Sequence, residues 1–157
     1  MKRQLLITLF LLSSSFLLKA QNANSVLELF DAMDSFTDTL HLSDYEVARI
    51  EIGTLGKSKG TYIVERTLYA GTTYLIIAIA DSRITNMSLE IGWFDKNGKY
   101  EYLIRKDNRK GGGKDKLDIE SIEFKPEKDT TYYIVVRQKT MAEGSMSGRI
   151  AITAGFK

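Results

Sequence analysis

Nucleophile–base catalysis needs a base held beside a nucleophile, and this sequence offers little to build one from. It has no cysteine and a single histidine, His41, which stands in no recognisable motif. The usual ligands of a zinc centre are therefore missing as well. Carboxylates are more plentiful. Glu46, Glu51, Glu65, Glu90, Glu101, Glu120 and Glu123 fall on segments that read as strands, and two of them facing one cleft could act on a glycosidic bond. Alternation puts most of them on an outer face, where charge simply solvates a sheet. Calcium wants several oxygen ligands at close spacing. Asp95 with Asn97, and Asp107 with Asn108, are weak calcium candidates, since Asp and Asn are equally the residues of tight turns. Gly111-Gly-Gly113 has neither the Lys-Ser/Thr nor the strand–loop–helix setting of a phosphate loop. The chain is expected to be non-catalytic and to hold no cofactor or metal.

Binding chemistry is better represented. Trp93, Tyr100 and Tyr102 flank the hairpin signal Asp95-Lys-Asn-Gly98, and aromatic clusters of that kind serve sugar-binding surfaces. Their phase along the strands matches the core-facing residues, so core packing is expected ahead of a binding platform. The stretch 105–116 carries six basic and two acidic residues. Arg105, Arg109 and Lys110 could grip an acidic polymer or a partner there, although a solvated loop is the expectation ahead of it, since charge collects in loops.

The first twenty residues say where such binding would happen. Lys2 and Arg3 precede an apolar run, Leu5 to Leu12; Ser13-Ser14-Ser15 and Phe16-Leu17-Leu18 follow; Lys19-Ala20 leads into a polar segment. That is the layout of a secretory signal peptide, with cleavage expected after Ala20. The run is too short and too broken by serines for a membrane span, so none is expected after cleavage. Cleavage removes Lys2, Arg3 and Lys19 and no acid, leaving 19 basic against 20 acidic residues, a net charge of −1. Such a chain has no basic excess to favour nucleic acid. The protein is expected to be periplasmic or secreted, without disulfides.

The elements that must position these residues are mostly strands. Residues 25–38 read as a short helix with Val26, Phe30 and Met33 on one side, joined by Leu29 and Phe36, and Ser25 as its N-cap. From Tyr45 onward the pattern is strand and turn: Glu46–Ile52, a glycine-rich loop over 53–60, Thr61–Tyr69, the turn Ala70-Gly71, then Thr73–Ala80. This last strand is apolar on both faces, Thr73/Leu75/Ile77/Ile79 and Tyr74/Ile76/Ala78/Ala80, and so belongs at a sheet's centre, covered on both sides. Met87–Phe94, Tyr100–Arg105, Leu117–Phe124, Thr131–Lys139 and Met146–Ala154 follow, with a bulge expected near Glu120-Ser121 where the apolar phase slips. About eight strands with turn signals between them and no interleaved helices imply an all-β, antiparallel β-sandwich. The expected organisation is a signal peptide over 1–20, a mature N-terminus with its helix over 21–44, and the sandwich over 45–157.

The segment from about Thr61 onward resembles the bacterial pre-peptidase C-terminal domain. The matches are Leu68-Tyr-Ala-Gly-Thr-Thr-Tyr74, Leu89-Glu-Ile-Gly-Trp-Phe-Asp-Lys-Asn-Gly98, Phe124-Lys-Pro126, Thr130-Thr-Tyr-Tyr-Ile-Val-Val136 and Ser147-Gly-Arg-Ile-Ala-Ile-Thr153. The resemblance implies a jelly-roll-like sandwich found beside exported peptidases, here as a free-standing relative. Family members often carry an aspartate-rich run after the central strand; Asp81-Ser-Arg-Ile-Thr-Asn86 has one acid. The expected role is binding an exported protein or a cell-surface glycan. The alternatives are a divergent secreted hydrolase and an assembly or stability accessory of an exported peptidase.

Overall fold

The structure is a computed structural model that describes residues 26–58, 60–107 and 117–157. The signal-like segment, Ser25, Asn108, Arg109, Lys110 and Gly111–Gly113 lie outside the described residues. Helix α1 spans 26–42. Eight strands follow: β1 (Glu46–Gly56), β2 (Thr61–Leu68), β3 (Tyr74–Ala80), β4 (Ile84–Phe94), β5 (Tyr100–Asp107), β6 (Asp118–Phe124), β7 (Thr130–Met141) and β8 (Ser147–Phe156). They form two four-stranded antiparallel sheets. Sheet A runs β1-β8-β3-β6 and sheet B runs β2-β7-β4-β5. Only β4 and β5 are consecutive strands of one sheet; every other connection crosses between sheets. This alternation is the jelly-roll form of the sandwich.

β3 sits in the interior of sheet A, between β8 and β6. Its Tyr74, Ile76, Ala78 and Ala80 join the core between the sheets. Its Ile77 and Ile79 join a second cluster, built with Leu29, Met33 and Leu40 of α1 and with Ala151 of β8. The strand is apolar on both faces because a sheet covers one and a helix the other. Each fully buried aliphatic side chain of that second cluster contributes about 1.5–3 kcal/mol.

The helix differs from its sequence reading in length and rotation. Ser35, Thr37, Asp38 and Thr39 are poor helix formers and suggest an end at 38. The helix instead runs to 42, with the Thr39 hydroxyl donating back to the Ser35 carbonyl at 2.9 Å. Asp44 then takes a left-handed conformation (φ 61°), and the Tyr45 N–H donates to the Leu40 carbonyl at 2.9 Å. Leu40, beyond the expected end, completes a stripe at 29, 33, 36 and 40. The stripe rotates the helix so that Phe30, expected inside, is 46% exposed. His41 belongs to the last turn of the helix rather than to the connection after it, and is exposed.

Three further expectations are corrected. Gly53–Gly56 belongs to β1, with Leu55 fully buried, so the strand takes in half of the expected glycine-rich loop and a turn follows at 57–58. β6 has no bulge: its register with β3 runs unbroken from Ala80↔Asp118 to Tyr74↔Phe124. The phase slip arises because β6 turns Asp118, Glu120 and Ile122 inward while Leu117 packs on the helix side. Two inward acids on an edge strand keep it from pairing with another chain. Met146 lies before β8 and is exposed, while Ile150, Ile152 and Ala154 face the core.

Two turns named in the sequence meet at one end of the sandwich. Gly71, at φ 83°, donates to the Pro126 carbonyl at 3.4 Å, and the Ala70 N–H donates to Asp129 Oδ1 at 2.7 Å. At the opposite end the buried carboxylate of Asp81 accepts from the Arg83 Nε at 2.9 Å and the Arg149 N–H at 2.9 Å, tying the end of β3 to β8.

Candidate functional site

The outer face of sheet B follows from strand register. Residues paired across an antiparallel sheet share a face, and three rows can be read across the four strands. Thr61, Arg137, Ser88 and Asp107 form one; Ile63, Val135, Glu90 and Arg105 the next; Glu65, Tyr133, Gly92 and Tyr102 the third. Phe94 and Tyr100 face each other beyond them. Among the described residues no helix covers this face, whereas α1 covers the outer face of sheet A.

Gly92 shapes its centre. A Cβ there would stand 2.6 Å from the Tyr100 ring, so the ring lies in the space that the glycine leaves open. Phe94 packs edge-on against Tyr133, with centroids 4.6 Å apart, and against Tyr100 at 5.5 Å. With Ile63, Val135 and Arg137 these rings line a shallow pocket of about 210 Å³. Phe94, Ile63 and Tyr102 are 46, 55 and 63% exposed. The Tyr100 hydroxyl is shielded from solvent and has no hydrogen-bond partner among the described residues. Burial first, and then the Glu90 carboxylate, push its pKa up to about 12.

Beside the rings lies a charged half. Glu90 is almost fully buried on this outer face, because Arg137 and Arg105 fold over it with Nε–O separations of 3.1 and 3.4 Å. Arg105 also reaches Asp107 at 3.8 Å, and Asp107 pairs with Lys139. The pairs neutralise one another locally and leave half-exposed guanidinium edges beside the rings. Such a surface has rings for apolar contact and donors beside them. Its one buried carboxylate is clamped by two cations, a poor arrangement for proton transfer.

The sequence candidates therefore divide. Tyr100, Tyr102 and Arg105 lie on the outer face of sheet B. Trp93 does not: it faces the seam between β5 and β6, lining a pocket of about 270 Å³ with Leu103, Phe124 and Tyr132, and Lys128 Nζ stands 3.8 Å above its ring. The shared phase of Trp93, Tyr100 and Tyr102 is broken by a bulge. Ile91 pairs with Ile104 but Gly92 pairs with Tyr102, so Leu103 is an extra residue that turns Tyr100 and Tyr102 away from the core-facing Ile104.

The weak calcium candidates have other work. Asp95 Oδ1 accepts from the Asn97 and Lys99 N–H groups, both at 2.8 Å, and Oδ2 accepts from the Asn97 side-chain amide at 3.3 Å. The Lys99 bond does most to hold the Asp95 carboxyl below its usual range. Gly98, at φ 75°, completes this turn. Asp107 is a strand residue engaged in ion pairs.

Sequence reasoning missed Ile63, Phe94, Tyr133 and Arg137. The available signal was in β4, where the face Ser88, Glu90, Gly92 ends in an aromatic. It also missed Asp118. That carboxylate is fully buried between the sheets and accepts from the Met87 N–H at 2.7 Å, while its Oδ1 has no hydrogen-bond partner among the described residues. Burial raises its pKa.

Comparison of the sequence with family models and with curated proteins returns no match. Comparison with solved structures does. The pre-peptidase C-terminal domain of a collagenase from Bacillus anthracis is 12% identical, with a TM-score of 0.44, over 68% of this chain and 87% of that one. A periplasmic inhibitor of g-type lysozyme, PliG of Aeromonas hydrophila, is 16% identical, with a TM-score of 0.47, over 73% and 90%. A family 22 carbohydrate binding module of Clostridium thermocellum is 16% identical, with a TM-score of 0.37, over 71% and 83%. The likeness to the pre-peptidase C-terminal domain is one of fold, at low identity. Among the described residues no helix is long and apolar enough to cross a membrane.

Proposed function

We propose that this chain is an exported, non-catalytic binding module that takes a glycan on the outer face of sheet B. One observation carries the reading: Phe94, Tyr100 and Tyr133 form a continuous aromatic ladder, with Tyr102 beside it, on a sheet face that no described element covers. A sugar ring offers C–H faces to such rings and hydroxyls to the guanidinium edges of Arg105 and Arg137. The signal-like first twenty residues support export.

The hydrolase alternative is less well supported. Glu90 lies on the outer face of sheet B and Asp118 between the sheets, so the two cannot flank one glycosidic bond.

The test is thermal unfolding of the purified protein against soluble β-glucan, xylan, chitin and peptidoglycan oligosaccharides. A ligand at a hundredfold excess over its Kd adds about 2.7 kcal/mol to folded-state stability. One glycan class should raise the melting temperature, and Phe94→Ala should abolish that rise. If no glycan does so, and an exported protein instead binds the face in a Phe94-dependent way, the occupant is a protein and the glycan reading fails.

A further inference from the structure

A second site, independent of sheet B's outer face, lies on the seam where the edge strands β1 and β2 face each other. Near their connecting turn the seam is closed. Gly53 leaves room that the Tyr62 ring fills, so completely that a Cβ at 53 would stand 2.5 Å from it. Toward the other end it opens. β1 carries a bulge there: Val47 pairs with Gly155 and Arg49 with Ala154, leaving Ala48 as an extra residue. A bulge bends an edge strand and sharpens its twist. The gap beside it is a pocket of about 460 Å³, with Ala48 on one wall, Leu68 on the other, and Tyr74, Ile134, Ala154 and Phe156 behind. That volume is within the usual small-molecule range of roughly 300–1,000 Å³.

The lining specifies the occupant. It is chiefly aliphatic and aromatic. Among the described residues the charged side chain that lines the pocket, Arg66, is paired with Glu51, and an uncharged occupant leaves that pair intact. Thr67 and Thr72 place hydroxyl-bearing side chains among the lining residues. The tilted Tyr74–Phe156 pair, with centroids 6.5 Å apart, forms the back wall. We propose that this pocket binds the aliphatic chain of an uncharged molecule, with a hydroxyl or ester end directed to the threonines.

The experiment is titration of the purified protein with 1-decanol, with decanoate as the charged comparison. Decanol should bind saturably at one site. Its methylene protons should show nuclear Overhauser contacts to the rings of Tyr74 and Phe156. Decanoate should bind at least tenfold more weakly. Ala154→Leu, which fills the pocket, should weaken decanol binding at least tenfold, and Ala48→Leu reads the same wall-filling effect from the other side. Absence of saturable binding, contacts to rings elsewhere, or unchanged affinity in a folded filling variant would each overturn the proposal. The ring contacts are read on the unmodified protein, so the result stands even if both variants fail to fold.

Discussion

The two outer faces of this sandwich are built in opposite ways. On sheet A, Ile77, Ile79 and Ala151 are aliphatic and small, and α1 lies over them. On sheet B, the corresponding positions hold rings, paired charges and a glycine, and among the described residues nothing lies over them. The difference teaches how to read an apolar outer face. Aliphatic residues in phase with a nearby amphipathic helix mark a face that the chain covers itself. Aromatics interrupted by Gly92 and bordered by arginines, with no described element over them, are the features on which the proposed binding face rests.

The largest effects should come from the covered face. Leu29→Ala and Met33→Ala each remove a buried side chain between helix and sheet, and each should lower stability by about 2–5 kcal/mol in urea unfolding. Glycan affinity of the protein that remains folded should be unchanged. A helix that merely rests on the sheet would show little loss.

Gly92→Ala comes next. Its Cβ would meet the Tyr100 ring and the Glu101 carbonyl. The ring must move, at a cost of about 1–3 kcal/mol, and binding should fall with it. Retained binding would separate the glycine from the site.

Phe94→Ala should cost less in stability, about 1 kcal/mol, since the ring is half exposed and its contacts are edge-on. It should cost at least tenfold in glycan affinity, measured by calorimetry. That inversion, small in stability and large in binding, is what distinguishes the two faces.

The smallest effects are titrations. The Asp118 carboxyl titrates higher in the folded protein than its ordinary 3.8. Folding therefore favours its protonated form, and the stability it contributes is fully present below 3.8 and lost as pH rises through the folded value. Asp118→Asn keeps an acceptor for the Met87 N–H and should flatten stability against pH in that window. Tyr100 behaves alike at the alkaline end. Its pKa of about 12, against 10 unfolded, makes its contribution full below pH 10 and lost between 10 and 12. Comparing alkaline unfolding of the protein with Tyr100→Phe checks this.

Much of the fold was legible because β3 is uninterrupted and both its faces are apolar. Once that strand is central, the alternation of its neighbours places most of the rest. Helix α1 was legible as amphipathic, but its polar tail hid Leu40, so its rotation was not. The site was only partly legible, for a local reason. Period-2 reading assumes an unbroken register, and the single extra residue Leu103 inverts the faces of Tyr100 and Tyr102 relative to Ile104. Trp93 was grouped with them on sequence proximity and lies on the other side of the sheet. The charged half of the face was hidden differently. Glu90 reads as a solvated strand acid, and only the pairing of β4 with β5 and β7 brings Arg105 and Arg137 over it. Asp118 and Glu120, on an inward phase, run against the expectation that acids face out.

The most direct measurement is a map of amide chemical-shift changes on titration with whichever glycan raises the melting temperature. The account predicts changes concentrated at Ile63, Gly92, Phe94, Tyr100, Tyr102 and Tyr133, with those of α1 and the Trp93 seam unmoved. Changes centred on Trp93 and Lys128, or on α1, with the sheet B rows silent, would contradict it.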